Sequence, residues 1–155
     1  MSVGGQGIQS GKKAKTGQNR RKSRELALKA VYRGLVNTGE LKQVFAEMKD
    51  DPEYGKVDET YFRQLLEGVT DKRSALDQQI AVYIDRTLEE LSPVEHAILC
   101  IASYELMYDP SIPYRVAINE GVELAKLYGG QDGHKYINGV LDKVAEQVRP
   151  HEFRK

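Results

Sequence analysis

A chain of 155 residues, 40% hydrophobic and 30% charged, has room for one domain with its own core and is excluded from the disordered class. A single cysteine, Cys100, excludes an internal disulfide and a cysteine-based zinc cluster. No apolar run approaches the roughly 18 residues of a membrane span, and the polar, glycine-rich start has no secretory signal, so a cytoplasmic protein is expected.

The zero formal net charge hides an asymmetry. Residues 1–24 carry seven Lys and Arg and no acid, leaving 16 basic residues against 23 acids in the remainder. A basic arm suits a polyanion such as nucleic acid, and an acidic body suits a basic protein partner. The arm can equally be a solvated tail.

Taken in chain order, residues 1–19 read as a flexible basic arm, too polar to pack. From about Ser23 a helix presents Ala27, Ala30, Val31, Gly34 and Leu35 on one face, with Gly39 as its stop. Leu41, Val44, Phe45 and Met48 mark a short second helix, ended by the turn-rich Asp50–Gly55. Asp58 caps a third, which buries Phe62, Leu65, Leu66 and Val69. A fourth segment from about Ser74, with Leu76, Ile80, Tyr83 and Ile84, is separate or runs on from it. Ser92, Pro93 and Glu95 form a start signal: a cap, a first-turn proline and a carboxylate that can reach back to the cap N–H. That helix buries Val94, Ile98, Ile101 and Ala102 and ends near Asp109-Pro110. Pro113 opens the next, with Tyr114, Ala117, Ile118, Gly121, Leu124, Ala125 and Tyr128 on one face. After Gly129-Gly130, Asp132 is expected to cap a last helix facing inward through Ile137, Val140, Leu141, Val144 and Val148, stopped by Pro150. The reading is an all-α, single-domain bundle of about seven helices over residues 20–150, with residues 151–155 a short tail.

Catalysis finds no constellation of nucleophile, base and orienting group. The three histidines, His96, His134 and His151, are read as lacking a second ligand at metal spacing on one helical face, so neither metal nor cofactor is expected. Glu105 sits on an apolar stripe, and a buried carboxylate there requires an ion pair or hydrogen bond to a neighbouring helix.

A turn between two helices accounts for most of the stretch Gly129–Gly139, "GGQDGHKYING". A helix end and a helix start explain Gly129, Gly130 and Asp132. They do not explain Gly139, which lies nearly opposite the core face at a cost of about 1 kcal/mol relative to Ala. Nor do they explain Lys135, Tyr136 and Asn138 clustered within a turn of one another. A stacking ring, a phosphate-binding lysine and groups for base edges suit single-stranded RNA. The first helix offers a matching surface: Arg20, Arg21, Lys22 and Arg24 lead into it, with Tyr32 off the core face near Lys29 and Arg33. An ordinary solvated helix face is the competing account. If both surfaces grip one strand, they must fold beside each other.

Together, "RRKSRELALKAVY", "YFRQLLEGV" and "IASYELMYDPSIPYRVAINEGVELAKLYGGQDGHKYINGVLDKVAEQVRP" resemble the NusB family of bacterial transcription antitermination factors over roughly residues 20–150. The resemblance implies an all-α, non-enzymatic adaptor without cofactor. It would bind the boxA element of nascent ribosomal RNA leaders together with NusE, the ribosomal protein S-ten, and help load an antitermination complex on RNA polymerase. It also implies RNA-facing roles for Arg20, Arg21, Lys22, Arg24, Tyr32, Asp132, His134, Lys135, Tyr136 and Asn138, and a NusE contact at Glu95. Some members form homodimers that mask the RNA surface, which is an alternative here. A NusB-like module also begins a ribosomal RNA cytosine methyltransferase, but this chain has no room for a methyl-donor domain. In the resemblance, Cys100 stands where a basic residue is common, and Tyr136 where some relatives carry phenylalanine.

Overall fold

The computed structural model describes the backbone of residues 2–37 and 39–153 and the side chains of residues 19–37 and 39–152. The expected arm, residues 1–19, thus has its side chains outside the described residues, Asn19 excepted. Among the described residues there are seven α-helices and no strand: α1 (Ser2–Val36), α2 (Leu41–Lys49), α3 (Glu59–Tyr83), α4 (Pro93–Tyr108), α5 (Tyr114–Tyr128), α6 (Gly133–Val148) and α7 (Pro150–Phe153). The number matches the expectation, but the set differs. The third and fourth segments are one helix, α3, because nothing between Val69 and Leu76 is a glycine or proline able to break it. Pro150, expected to stop the last helix, also opens α7, which takes residues 151–153 of the expected tail.

Local chemistry sets most boundaries. The Asp58 carboxylate accepts the Tyr61 N–H at 3.1 Å and starts α3. Ser92 Oγ accepts the Glu95 N–H at 3.1 Å to start α4, with Pro93 in the first turn. The Glu95 carboxylate takes the Ser92 hydroxyl at 3.2 Å rather than the backbone N–H expected of it. A reciprocal capping box forms instead on the preceding 3-10 turn, Leu88–Glu90, between Thr87 and Glu90.

The run Ala97–Ala102 is apolar all round, the mark of a helix enclosed on every side. Accordingly α4 is the central rod, packed against α1, α3, α5 and α6. It runs opposite to α3: Tyr61 meets Glu105 and Asp77 meets His96. Gly121 of α5 lies where three helices converge, since a Cβ there would stand 2.9 Å from Leu141 Cδ1 and 3.1 Å from Ala102 Cβ. On α3, Phe62 is fully buried and takes the edges of Phe45 and Tyr54, at centroid distances of 5.9 and 6.1 Å, which fastens α2 and the turn after it. Truncating Phe62 to alanine costs about 3–5 kcal/mol by loss of burial and the cavity left behind. At the far end of α4, Arg149 donates to the carbonyls of Glu105, Leu106, Asp109 and Ile112, supplying the donors that a helix C-terminus lacks.

Candidate nucleic-acid interface

The first surface is the start of the described part of α1. Ser23 Oγ lies 2.7 Å from Asn19 O and accepts the Asp58 N–H at 2.9 Å, which pins α1 to the cap of α3. Arg20 and Arg24 then stack over the Tyr61 ring, 4.5 and 5.3 Å from its centroid. Arg21 forks onto Glu120 at 3.1 and 2.6 Å. Lys22 lies 3.4 Å from Glu53.

Arg24 corrects the expectation of an RNA-facing side chain. It is 5% exposed and donates through Nε to Glu105 at 2.8 Å, with Glu120 3.4 Å away. The Tyr61 hydroxyl donates to the same Glu105 carboxylate. Burial pushes the Glu105 carboxyl above its ordinary value, and Arg24 and Tyr61 draw it partly back. Glu105 therefore has the interhelical ion pair its position on an apolar stripe demanded, and Arg24 is that partner.

Further along α1 the outer face is open but not bare. Tyr32 is 39% exposed, Lys29 reaches Asp51 at 3.2 Å, and Arg33 forks onto Glu47 at 2.9 and 2.8 Å. Tyr128, the last residue of α5, touches this face through its hydroxyl, 3.5 Å from Glu25.

The second surface is the joint between α5 and α6. Gly130 and Asp132 both take left-handed backbone, with φ of 78° and 63°. Aspartate tolerates that region better than most residues. The conformation turns its side chain away from the amides of the new helix, so Asp132 makes no side-chain cap, contrary to expectation. Its carboxylate lies 3.7 Å from Lys135 Nζ instead, and both side chains are largely in solvent. Tyr136 is held from the α3–α4 connection: its hydroxyl donates to Asp85 at 3.0 Å and the Arg86 guanidinium lies 4.4 Å from its ring centroid. His134 is half-buried and Asn138 exposed. Gly139 faces open space, with nothing within 4 Å of a Cβ placed there. Glu95 borders the joint, Oε2 lying 3.5 Å from the Cβ position of Gly133.

Arg24 and Lys135 do not share a groove. Arg24 is tied to Glu105 near the C-terminus of α4, whereas the joint sits against Glu95 in its first turn. Ten residues of helix put about 15 Å between those levels. What links the two regions is the outer face of α1 and Tyr128, which leads from Glu25 into Gly129. Two residues at the joint, Asp85 and Arg86, escaped the sequence reading; a charged pair in the loop between two helices was the available signal.

A conserved-domain model described as the NusB family matches residues 21–146. The chain belongs to the NusB family. It is 60% identical over 141 residues to the transcription antitermination protein NusB of Methylobacillus flagellatus, covering 91% of this chain and 92% of that one. It is 48% identical to the NusB of Thiobacillus denitrificans over 135 residues, 87% and 93% of the two chains. The NusB structure from T. maritima superposes with a TM-score of 0.76 at 30% identity, covering 88% of this chain and 97% of that one. A crystal structure of antitermination factors NusB and NusE in complex with dsRNA shares the fold, with a TM-score of 0.74 at 21% identity over 84% and 98% of the chains. No helix among the described residues is long and apolar enough to cross a membrane.

Proposed function

We propose that this NusB-family chain is a non-catalytic, cytoplasmic transcription antitermination factor that binds boxA of nascent ribosomal RNA together with NusE, the ribosomal protein S-ten. The joint carries the reading. A lysine 75% exposed, an uncapped helix start and an arginine stacked on a tyrosine occupy one short stretch, next to a helix face left open at Gly139. Lysine and helix amides suit phosphate, the Tyr136–Arg86 stack suits a splayed base, and Asp132 suits a base amino group. His134 and Asn138 flank these groups, and Tyr32 with Lys29 extends the surface along α1. At the other end, Arg20, Arg21 and Lys22 offer a separate set of phosphate contacts, while Arg24 holds the start of α1 in place. The solved complex of relatives with NusE and dsRNA supports the class of ligand and partner.

The acidic body favours a basic partner beside the joint. Asp85, Glu89 and Glu90 are exposed on the α3–α4 connection, and Glu95 lies next to them at the joint. Such a partner completes a surface that holds RNA weakly by itself. The test is a gel shift on boxA RNA and on a scrambled sequence, with and without NusE. Weak binding alone that tightens with NusE, on boxA only, supports the proposal. Equal affinity for the scrambled RNA in the presence of NusE removes it. Light scattering on the free protein distinguishes a monomer from the homodimer that would mask the surface.

A further inference from the structure

Away from the RNA-facing surfaces, three side chains of different chemistry converge between α3 and α4. His96 and Cys100 stand one helical turn apart on α4, a spacing the sequence reading passed over, and both point at Asp77 of α3. His96 Nε2 is 2.7 Å and Cys100 Sγ 3.7 Å from Asp77 Oδ1, and the three donor atoms lie within 4.8 Å of one another. The histidine and cysteine are buried and the aspartate is half-buried.

We propose that Asp77, His96 and Cys100 form a site for a borderline-soft divalent cation of the Zn2+ type. One sulfur, one imidazole nitrogen and one carboxylate oxygen are a donor set that such an ion accepts, leaving a fourth position for water. Ligands 2.0–2.3 Å from a tetrahedral ion stand about 3.3–3.7 Å apart. The sulfur–oxygen separation already meets this, the histidine–aspartate pair has to open by about 0.6 Å, and the histidine–cysteine pair, within 4.8 Å, has to settle at about 3.5 Å. Binding transfers the thiol proton of Cys100 to solvent. Thiolate and carboxylate then balance the two positive charges, while the imidazole stays neutral. Burial and the nearby Asp77 charge push the free thiol up, so the ion has to supply the deprotonation.

Arg73 opposes the site. Its Nε donates to Asp77 Oδ2 at 2.9 Å, adding a positive charge that the ion would meet. Its side chain is 38% exposed and can turn to water, which also opens the path by which an ion reaches Asp77.

The experiment titrates the purified full-length chain with Co2+, a coloured stand-in for Zn2+. A sulfur-to-cobalt charge-transfer band saturating at one ion per chain, and bleached by Zn2+, is expected. Cys100→Ser abolishes the band, and His96→Gln or Asp77→Asn weakens binding at least about tenfold, the lower end of what loss of even an outer partner costs. Arg73→Gln tightens it, which a chance pair of surface ligands would not do. No band at equimolar Co2+ in the unaltered chain overturns the proposal, and that result needs no variant to fold. A band or a Zn2+-induced rise in Tm that survives Cys100→Ser overturns it as well.

Discussion

Replacing Arg24 with methionine tests the assignment of this residue to the core. The substitution keeps the apolar stem and removes the charge from a site where Arg24 is 5% and Glu105 1% exposed, with a 2.8 Å hydrogen bond between them. Glu105 keeps the Tyr61 hydroxyl but loses its cation, and breaking a buried pair in this way costs about 3–5 kcal/mol. Total stability of a domain is about 5–15 kcal/mol, so this is a large part of it. At about 2–4 °C per kcal/mol for a chain of this size, Tm falls by roughly 6–20 °C. The deficit depends on pH with a definite sign. Without Arg24 the folded Glu105 carboxyl rises further above its ordinary value of 4.5, so the folded form binds the extra proton. Stability then declines as pH climbs from the unfolded value through the folded one, so the deficit is small in acid and grows as the pH rises. Urea melts at several pH values, with the double variant Arg24→Met/Glu105→Leu alongside, make the measurement. The double variant recovers most of the loss because an apolar pair needs no compensation there. A single variant within about 1 kcal/mol of the unaltered chain at pH 7, or a deficit abolished by high salt, would refute the reasoning, since buried pairs are little screened.

Other substitutions separate binding from folding. On the proposed function Lys135→Ala removes one phosphate contact, so boxA affinity in the presence of NusE falls and the slope of log K against log salt flattens by about 0.7; an unchanged slope rejects the assignment. Gly139→Ala is free of clashes and relieves about 1 kcal/mol of helix cost, so a urea melt shows higher stability. If RNA approaches the backbone at that face, the same change lowers affinity in a filter-binding assay, and unaltered affinity ends that reading. Glu152 accepts the Tyr114 N–H at 2.9 Å and the Arg149 guanidinium at 2.6 Å, so Glu152→Ala removes a cap from α5 and costs about 1 kcal/mol in thermal melts at pH 7. The Tyr114 N–H, then Arg149, hold its carboxyl below the ordinary 4.5; the stabilisation is present above that pH and is lost as pH falls through the folded value. A variant equally sensitive to acid would contradict this.

What could be read from the chain is what neighbours in sequence determine. Asp58, Ser92 and Pro93 act on the next three residues, and each begins a helix as expected. Glu105 announced a partner because a carboxylate on an apolar stripe is unstable alone, but the partner stands 81 residues earlier and could not be named. For the same reason Arg24 read as one more cation in a basic cluster. Only the fold brings Glu105, Glu120 and Tyr61 around it. Asp132 failed as a cap for a local reason, since its left-handed backbone depends on how the α5–α6 turn closes. The His96–Cys100 spacing was visible, but the third donor, on α3, was not.

The internal pairing of the α1 arginines changes how the two surfaces divide the work. Counted from sequence, Arg20, Arg21, Lys22 and Arg24 promise four phosphate contacts, which for a single strand means a salt slope of about −2.8 from this region. Arg24 is consumed by Glu105, and Arg21 already holds Glu120 in a two-point fork. A phosphate must outcompete that carboxylate before any counterion release appears as affinity. Lys135 faces a weaker rival: Asp132 is 3.7 Å away and mostly in water, where an ion pair contributes little. On the proposed function, the joint would therefore supply more binding per charge than the start of α1, although it has fewer charges. The ionic network at the far end of α4 is better understood as the framework that fixes α1, and with it the outer face that carries Lys29 and Tyr32.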